Sequence, residues 1–418
     1  NTKINMFLIY QLLITLVILF SPIIILIRIF KGKEHILRFR EKFCIFSKKR
    51  CSGKLLWIHG SSVGELMSVL PILNKYDKDD SFDQILVTSS TLSSSKILQK
   101  YKFKKVVHQF FPIDHIFFSN FFLNYWRPNS SIFLESEIWP SIYRSLKKRN
   151  IPLILLNARI TKKTFERWIK LKGFSLKIFN QINFAYPQNK ETISYLKKLG
   201  VKNINYIGNL KFFEDEKTVN KKFDNEIKNK FKKYKICIAA STHADEEIFA
   251  ARTHILLKKK YKNLITIIIP RHVHRVDEIN HELRKLNLKT SYHSAKLRNL
   301  KDTDIYIVDT FGESKRFYKI ATTVFLGGSI TNKGGQNPIE PARYGAKILH
   351  GPNISNFREV YAFLKSLSIS KEIRSPLQFS NEVIFRKKME KVKKIQKLGN
   401  VIFKNTLKKL SKSINYEN

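Results

Sequence analysis

Acidic residues are scarce in this chain. Its 418 residues include 33 Asp+Glu against 77 Lys+Arg, a formal net charge of +44. A balance so one-sided points to an anionic partner surface, the phosphates of nucleic acid or of a membrane. Compositional drift toward Lys, Ile, Asn and Phe accounts for abundant lysine but not for the shortage of acids. Cysteine is scarcer still. Cys44, Cys51 and Cys237 are the only three, which excludes a disulfide framework and suits a reducing compartment. The first strand–turn–helix carries no G-x-G-x-x-G, and no Walker lysine motif occurs, which argues against a dinucleotide enzyme. What is present is a globular chain. Hydrophobic residues make up 43% of it, and the length suffices for two domains with cores of their own.

Charge is missing altogether from Ile4 to Ile27, "INMFLIYQLLITLVILFSPIIILI". As a helix this stretch is about 36 Å long, enough for a hydrocarbon core of about 30 Å. Pro22 is a site for a kink, and no small-residue cleavage site marks a signal peptide. A basic cluster follows at Arg28, Lys31, Lys33, Arg38, Arg40 and Lys42, with only Lys3 on the other side. The positive-inside rule then places everything after residue 28 in the cytoplasm. The expectation is a single N-terminal transmembrane anchor over residues 1–30. A helix lying flat in the interface is disfavoured because the segment shows no polar face.

Downstream, strand-like apolar runs alternate with helical segments. Leu55–His59, Gln84–Thr88, Ser131–Leu134, Pro152–Leu156 and Asn183–Tyr186 read as strands of a first unit, residues 31–213. A charged segment, Glu214–Lys235, opens a second unit, residues 214–418, with strands at Ile236–Ala240, Leu264–Ile269, Ile305–Val308, Thr323–Leu326 and Lys347–Leu349. Such alternation predicts α/β architecture, two Rossmann-like domains with parallel sheets facing a cleft. Asn381–Ile414 reads as a basic amphipathic helix, apolar at Val383, Phe385, Met389, Val392, Ile395 and Leu398, with packing on the body favoured over independent contact with a membrane.

Ligands of such domains sit at the carboxyl ends of strands, so the turns there are the candidate sites. "HGSSVGE" offers tight-turn glycines at 60 and 64, a Ser61 or Ser62 cap, and Glu65 at capping-box spacing. Cap and catalytic base are equally good readings of Glu65. "FLESEIWP" puts Glu135 and Glu137 directly after an apolar strand, pointing the same way if the strand continues. Carboxylates there are costly unless paired or used. Arg159 of "NARIT" and Lys211 of "GNLKF" offer cations. Arg271, after "IIIP", suits phosphate recognition, whereas His272 and His274 lack the partners a metal site needs. "FLGGSITNKGGQNPIEPARYG" runs from a strand through a Gly-rich loop to a helix start near Pro338, where free N–H groups would bind an anion and Glu340 would accept from ribose hydroxyls. "DTFGE", Asp309–Glu313, falls at the same edge. Together these favour a nucleotide site.

The set resembles the Kdo (3-deoxy-D-manno-octulosonic acid) transferases of Gram-negative lipopolysaccharide synthesis. In order along nearly the whole chain stand "WIHGSSVGE", "ESEIWP", "LLNARIT", "GNLKF", "PRH", "DTFGE", "GGQNPIEP" and "HGPNISNF". The chain departs from the family's more usual residues at Gly60 (Ala), Ser136 (Thr), His274 (Glu nearby) and Gln336 (His). The resemblance implies a GT-B fold and transfer of Kdo from CMP-Kdo to a lipid A precursor (lipid IVA), with inversion and with neither metal nor cofactor. It implies Glu65 as general base, with Glu135 and Lys211 stabilising the transition state. Pro270, Arg271, Phe311, Gly312, Glu313, Asn337, Pro338, Ile339 and Glu340 match the family's CMP-contacting segments. The implied partners are CMP-Kdo, the lipid A precursor and the anionic surface of a bacterial inner membrane, not nucleic acid. Two other readings stand beside it: a GT-B transferase using a UDP-sugar on a lipid acceptor, and a membrane-tethered nucleic-acid-binding protein suggested by the charge. The second lacks a helix-turn-helix, zinc or aromatic RNA-binding motif.

Overall fold

The structure, a computed structural model, describes residues 5–213, 221–295, 300–387 and 389–415. Lys3, Ile4 and residues 214–220 of the charged segment therefore lie outside the described residues. The chain divides into two compact units, residues 1–214 with 401–418, and residues 215–400.

The first unit holds β1 (Leu55–His59), β2 (Gln84–Ser89), β3 (Val106–Phe110), β4 (Ser130–Leu134), β5 (Leu153–Ala158) and β6 (Phe184–Pro187). All pair in parallel, in the order β3-β2-β1-β4-β5-β6. Runs such as "LLWIH" and "LILLNA" are buried along their full length. Helices cover both faces of a parallel sheet, so its strands read as continuous apolar runs rather than alternating ones. A core of Trp57, Trp126, Phe122, Phe133, Tyr143 and Phe179 fills one side.

The second unit repeats the design with β7 (Lys235–Thr242), β8 (Leu264–Pro270), β9 (Thr290–Tyr292), β10 (Ile305–Ile307), β11 (Thr323–Leu326), β12 (Lys347–His350) and β13 (Ser370–Glu372). Its order is β13-β12-β11-β7-β8-β10-β9, again all parallel. In each unit the chain starts centrally, winds outward one way and returns to build the other half. The switch points fall between β1 and β4 and between β7 and β11, where a crevice opens beyond the carboxyl ends.

Two expectations change. The tail is not one helix from Asn381. A short helix, Pro376–Glu382, ends before Val383 and Phe385, and a second runs Met389–Ile414. Residues 401–418, assigned from sequence to the second domain, group with the first unit. The reason is a buried stripe at Ile402, Thr406, Leu410 and Ser413. It is reinforced by Ser130, whose hydroxyl donates to the Ile414 carbonyl at 2.8 Å.

The apolar segment is a helix, Met6–Phe30, with Asn5 capping Phe7 N–H. Pro22 sits inside it. Phe7 and Tyr10 pack against the first unit's core.

Candidate active site

Glu65 lies in the first turn of the helix Val63–Tyr76, which Ser62 caps. The capping box is complete: Ser62 Oγ accepts from Glu65 N–H at 3.3 Å, and Glu65 Oε2 accepts from Ser62 N–H at 3.5 Å and, more closely, from Ser61 N–H at 2.8 Å. Ser62 Oγ also donates to Glu65 Oε1 at 2.8 Å. The carboxyl is nonetheless raised to about 7, by burial first and then by the charges of Glu137 and Glu135. A carboxylate serving only as a cap gains from being ionised at a helix N-terminus. This one is poised near neutrality, where a general base works best. Gly60 lets the turn close, since a Cβ there would meet Leu134 Cδ1 at 2.8 Å and Glu65 Cβ at 3.3 Å. Nothing occupies the space beside Gly64.

The loop after β4 supplies the two neighbouring carboxylates, though not as alternation predicted. The strand ends at Leu134, and Glu135 adopts a left-handed φ of 51°. The two side chains thus reach different partners. Glu137 Oε2 accepts from Ser61 Oγ at 2.6 Å and Trp139 Nε1 at 2.9 Å, and faces His59 Nε2 at 3.1 Å. Burial pushes its carboxyl up, but the His59, Ser61 and Trp139 contacts outweigh this and hold it below the ordinary value. His59 is fully buried, its other nitrogen 2.9 Å from Thr88 Oγ1 and its ring stacked on Phe111. Glu135 is buried and ion-paired with Lys211.

Lys211 is brought there by two asparagines. Asn157 sits where β5 bulges between Leu156 and Ala158, at a left-handed φ of 52° that Asn tolerates. Its Oδ1 accepts from Leu210 N–H at 3.0 Å, and Asn209 Oδ1 accepts from Lys211 N–H at 2.9 Å. "NARIT" and "GNLKF" are thereby one structure: the first motif seats the second. Arg159 is half-buried, and its N–H donates to the Glu135 carbonyl at 3.1 Å. The sequence singled out Glu65, Glu135, Glu137 and Lys211, but not His59, which meets Glu137, nor Asn157 and Asn209, which hold the segment carrying Lys211. For His59 and Asn157 the available signal was a lone polar residue at or near the end of an otherwise apolar strand; Asn209 lies outside the strands.

In the second unit the remaining candidates sit at or after the carboxyl ends of β8, β10 and β11. Pro270 ends β8 and is buried. Arg271 follows it, exposed, with its N–H on the Thr242 carbonyl at 3.0 Å. Beyond β10, Phe311 is 75% exposed, Gly312 has φ +86° with open space beside it, and Glu313 pairs with Arg316 at 2.6 Å. Asn337 Oδ1 accepts from Ile339 N–H at 3.1 Å. The helix it opens, Ile339–Arg343, has five residues with Glu340 in its first turn. Pro338 and Pro341 carry no N–H and Ile339's is taken, so this helix start offers less to an anion than the sequence suggested.

The Gly-rich loop is organised by a residue the sequence did not single out. Glu246, fully buried, accepts from the N–H groups of His243 (3.0 Å), Gly328 (2.6 Å), Ser329 (3.0 Å), Ile330 (3.0 Å) and Thr331 (3.4 Å). Those donors turn inward to a carboxylate rather than outward to a phosphate. Gly327 is sterically required, since a Cβ would stand 2.5 Å from the Ser241 carbonyl oxygen and 2.6 Å from Thr242 Cα. The rings of His243 and His272 lie 5.7 Å apart, and those of His272 and His274 5.6 Å. Among the described residues no group of three or more His, Cys, Asp or Glu is placed to hold a metal ion.

Comparison with known proteins follows the same lines. The family model described as 3-deoxy-D-manno-octulosonic-acid transferase (kdotransferase) matches residues 37–214. A 3-deoxy-D-manno-octulosonic acid transferase of Rickettsia bellii is 36% identical over 339 residues, covering 81% of this chain and 80% of that protein. The Haemophilus influenzae protein of the same name is 27% identical, covering 82% of each. Among solved structures, UDP-GlcNAc 2-epimerase from Neisseria meningitidis bound to UDP-GlcNAc superposes with a TM-score of 0.57 at 12% identity, covering 86% of this chain and all of that one. At that identity the likeness speaks for the fold alone, two parallel α/β units of the kind that GT-B glycosyltransferases share.

Proposed function

Because the chain belongs to the 3-deoxy-D-manno-octulosonic acid transferase family, we propose that it moves Kdo from CMP-Kdo to a lipid A precursor at the cytoplasmic face of a bacterial inner membrane. The observation that carries the catalytic part is Glu65, a carboxyl raised to about 7 at the switch point of the first sheet. The acceptor hydroxyl of a glucosamine lipid is a weak nucleophile, so its proton must leave during attack. Glu65 takes that proton. The anomeric carbon passes through an oxocarbenium-like state, and one displacement inverts it without a covalent intermediate.

The Lys211–Glu135 pair lies in the same unit and stabilises the transition state electrostatically. In the second unit Arg271, exposed at the end of β8, meets the phosphate of the departing CMP. Glu340 and the "DTFGE" turn hold the nucleoside. The basic surface and the N-terminal helix keep the enzyme where its lipid acceptor is. Each surface cation near an anionic leaflet adds about 1 kcal/mol.

A competition assay tests the donor. Unlabelled CMP should inhibit Kdo transfer well below the concentration at which UDP does, and Arg271→Ala should weaken CMP binding about tenfold or more. Equal inhibition by UDP, or unchanged CMP affinity in the variant, contradicts the donor assignment.

A further inference from the structure

The helix Met6–Phe30 is fastened to the first unit near both of its ends. Near the start, Tyr10 OH donates to Asp114 Oδ2 at 2.6 Å, and Gln11 Nε2 donates to Ser141 Oγ at 2.8 Å. Gln11 Oε1 in turn accepts from Ile116 N–H at 2.9 Å. At the far end Arg28 pairs with the buried Glu34 at 3.0 Å, and Lys42 pairs with the same carboxylate at 2.5 Å. Between them Ser21 and Ile25 are buried. The covered positions 7, 11, 14, 18, 21, 25 and 28 recur every three or four residues, with Met6, Tyr10 and Ile29 half-buried beside them, so a single stripe along the helix is turned away from solvent.

From Gln11 to Arg28 the helix rises about 26 Å, close to the roughly 30 Å of a hydrocarbon core. A helix crossing the bilayer would carry these two ends toward opposite faces. Asp114, Ser141 and Glu34 belong to one folded unit and cannot stand on both sides of a membrane.

We infer that Met6–Phe30 does not span the bilayer but lies along its anionic surface, with the first unit on one side and lipid on the other. The residues outside the covered stripe, among them Leu12, Leu16, Leu19, Phe20, Ile23 and Ile27, are exposed and apolar. The polar face that an interfacial helix needs is the face already occupied by Asp114 and Ser141. Ile36, Leu37, Phe117 and Phe121, exposed in the same unit, extend the apolar surface. The exposed cations Lys31, Lys33 and Arg40 suit anionic headgroups. The placement also bears on catalysis. Ser141 opens the helix Pro140–Lys148, directly after the Glu135–Glu137 loop, and Tyr143 of that helix donates to the Glu137 carbonyl at 2.7 Å. The fastening point and the catalytic carboxylates therefore share one segment, so a lipid-borne sugar arrives beside Glu65.

This inference rests on the membrane attachment proposed above but not on the chemistry of Glu65. The test uses the full chain with Cys51, the one exposed cysteine, replaced by Ser. Single cysteines are introduced as Asn5→Cys and Lys31→Cys and probed with a membrane-impermeant maleimide. Intact spheroplasts and inverted inner-membrane vesicles of a Gram-negative host are compared. In-plane placement predicts that both positions label in inverted vesicles and neither in spheroplasts. Labelling of position 5 from the outer face, or from neither face, overturns it. Recovery of the protein in the soluble fraction at low salt would instead overturn the attachment itself, for which binding to phosphatidylglycerol–phosphatidylethanolamine vesicles is the second measurement.

Discussion

Glu65 is held by Ser61 and Ser62 and at the same time pushed toward its protonated form by burial and by two neighbouring carboxylates. The hydrogen bonds fix where the group points. The electrostatics fix when it can accept a proton. Because a base must be ionised to act, kcat/KM for Kdo transfer should rise with pH through about 7, the value to which Glu65 is raised. Glu137→Gln removes the neighbouring charge with the larger effect on Glu65 while keeping a hydrogen-bonding group for Ser61. Its acid limb should therefore move to lower pH. A limb that stays in place would mean that Glu137 does not set the titration. From sequence, Glu65 had two explanations of equal weight: the structure shows the cap, and under the proposed function that cap serves to aim the base. His59 was invisible because its role depends on Glu137, which stands 78 positions away in sequence and is joined to it only by the parallel pairing of β1 and β4.

At the scale of the element, the strand–turn–helix unit at β7 and the loop after β11 are joined by one carboxylate. Glu246 serves five backbone N–H groups. A buried donor left unsatisfied costs about 1–3 kcal/mol. Glu246→Ala should therefore lose at least about 3 kcal/mol from the second unit and abolish CMP binding, read by denaturant unfolding and by calorimetric titration. Retention of both would show that the loop stands without it. The Gly-rich loop was legible as a loop between an apolar strand and a helix start, but its internal anchor was not. Glu246 stands in a helix start like many others, and only the folded chain shows which N–H groups it meets. The strands themselves were legible because two-sided burial writes them as unbroken apolar runs. β3, with three of its five residues only half-buried, and the three-residue β9 and β13 left weaker signals and went unread.

For the whole molecule, the C-terminal segment is part of the first unit's fold although it ends the chain. A chain stopped after Asn400 loses Ile402 and Leu410 from that unit, each worth about 1.5–3 kcal/mol of burial, along with the Ser130 contact. Its first thermal transition should fall by several degrees in calorimetry, and an unchanged transition would contradict the assignment. Sequence periodicity found a helix here but could not tell which unit it served, since an amphipathic stripe names no partner. The charge of +44 and the apolar helix support the setting proposed above, an anionic membrane that also carries the acceptor. The most direct measurement reconstitutes the full chain in anionic vesicles with CMP-Kdo and lipid A precursor and compares it with Glu65→Gln, which preserves the cap but not the base. The wild type should transfer Kdo, and the variant should fall by about 10²–10⁴-fold with an unchanged melting profile. Near-equal rates from a folded variant, or no transfer by the wild type, would contradict the account.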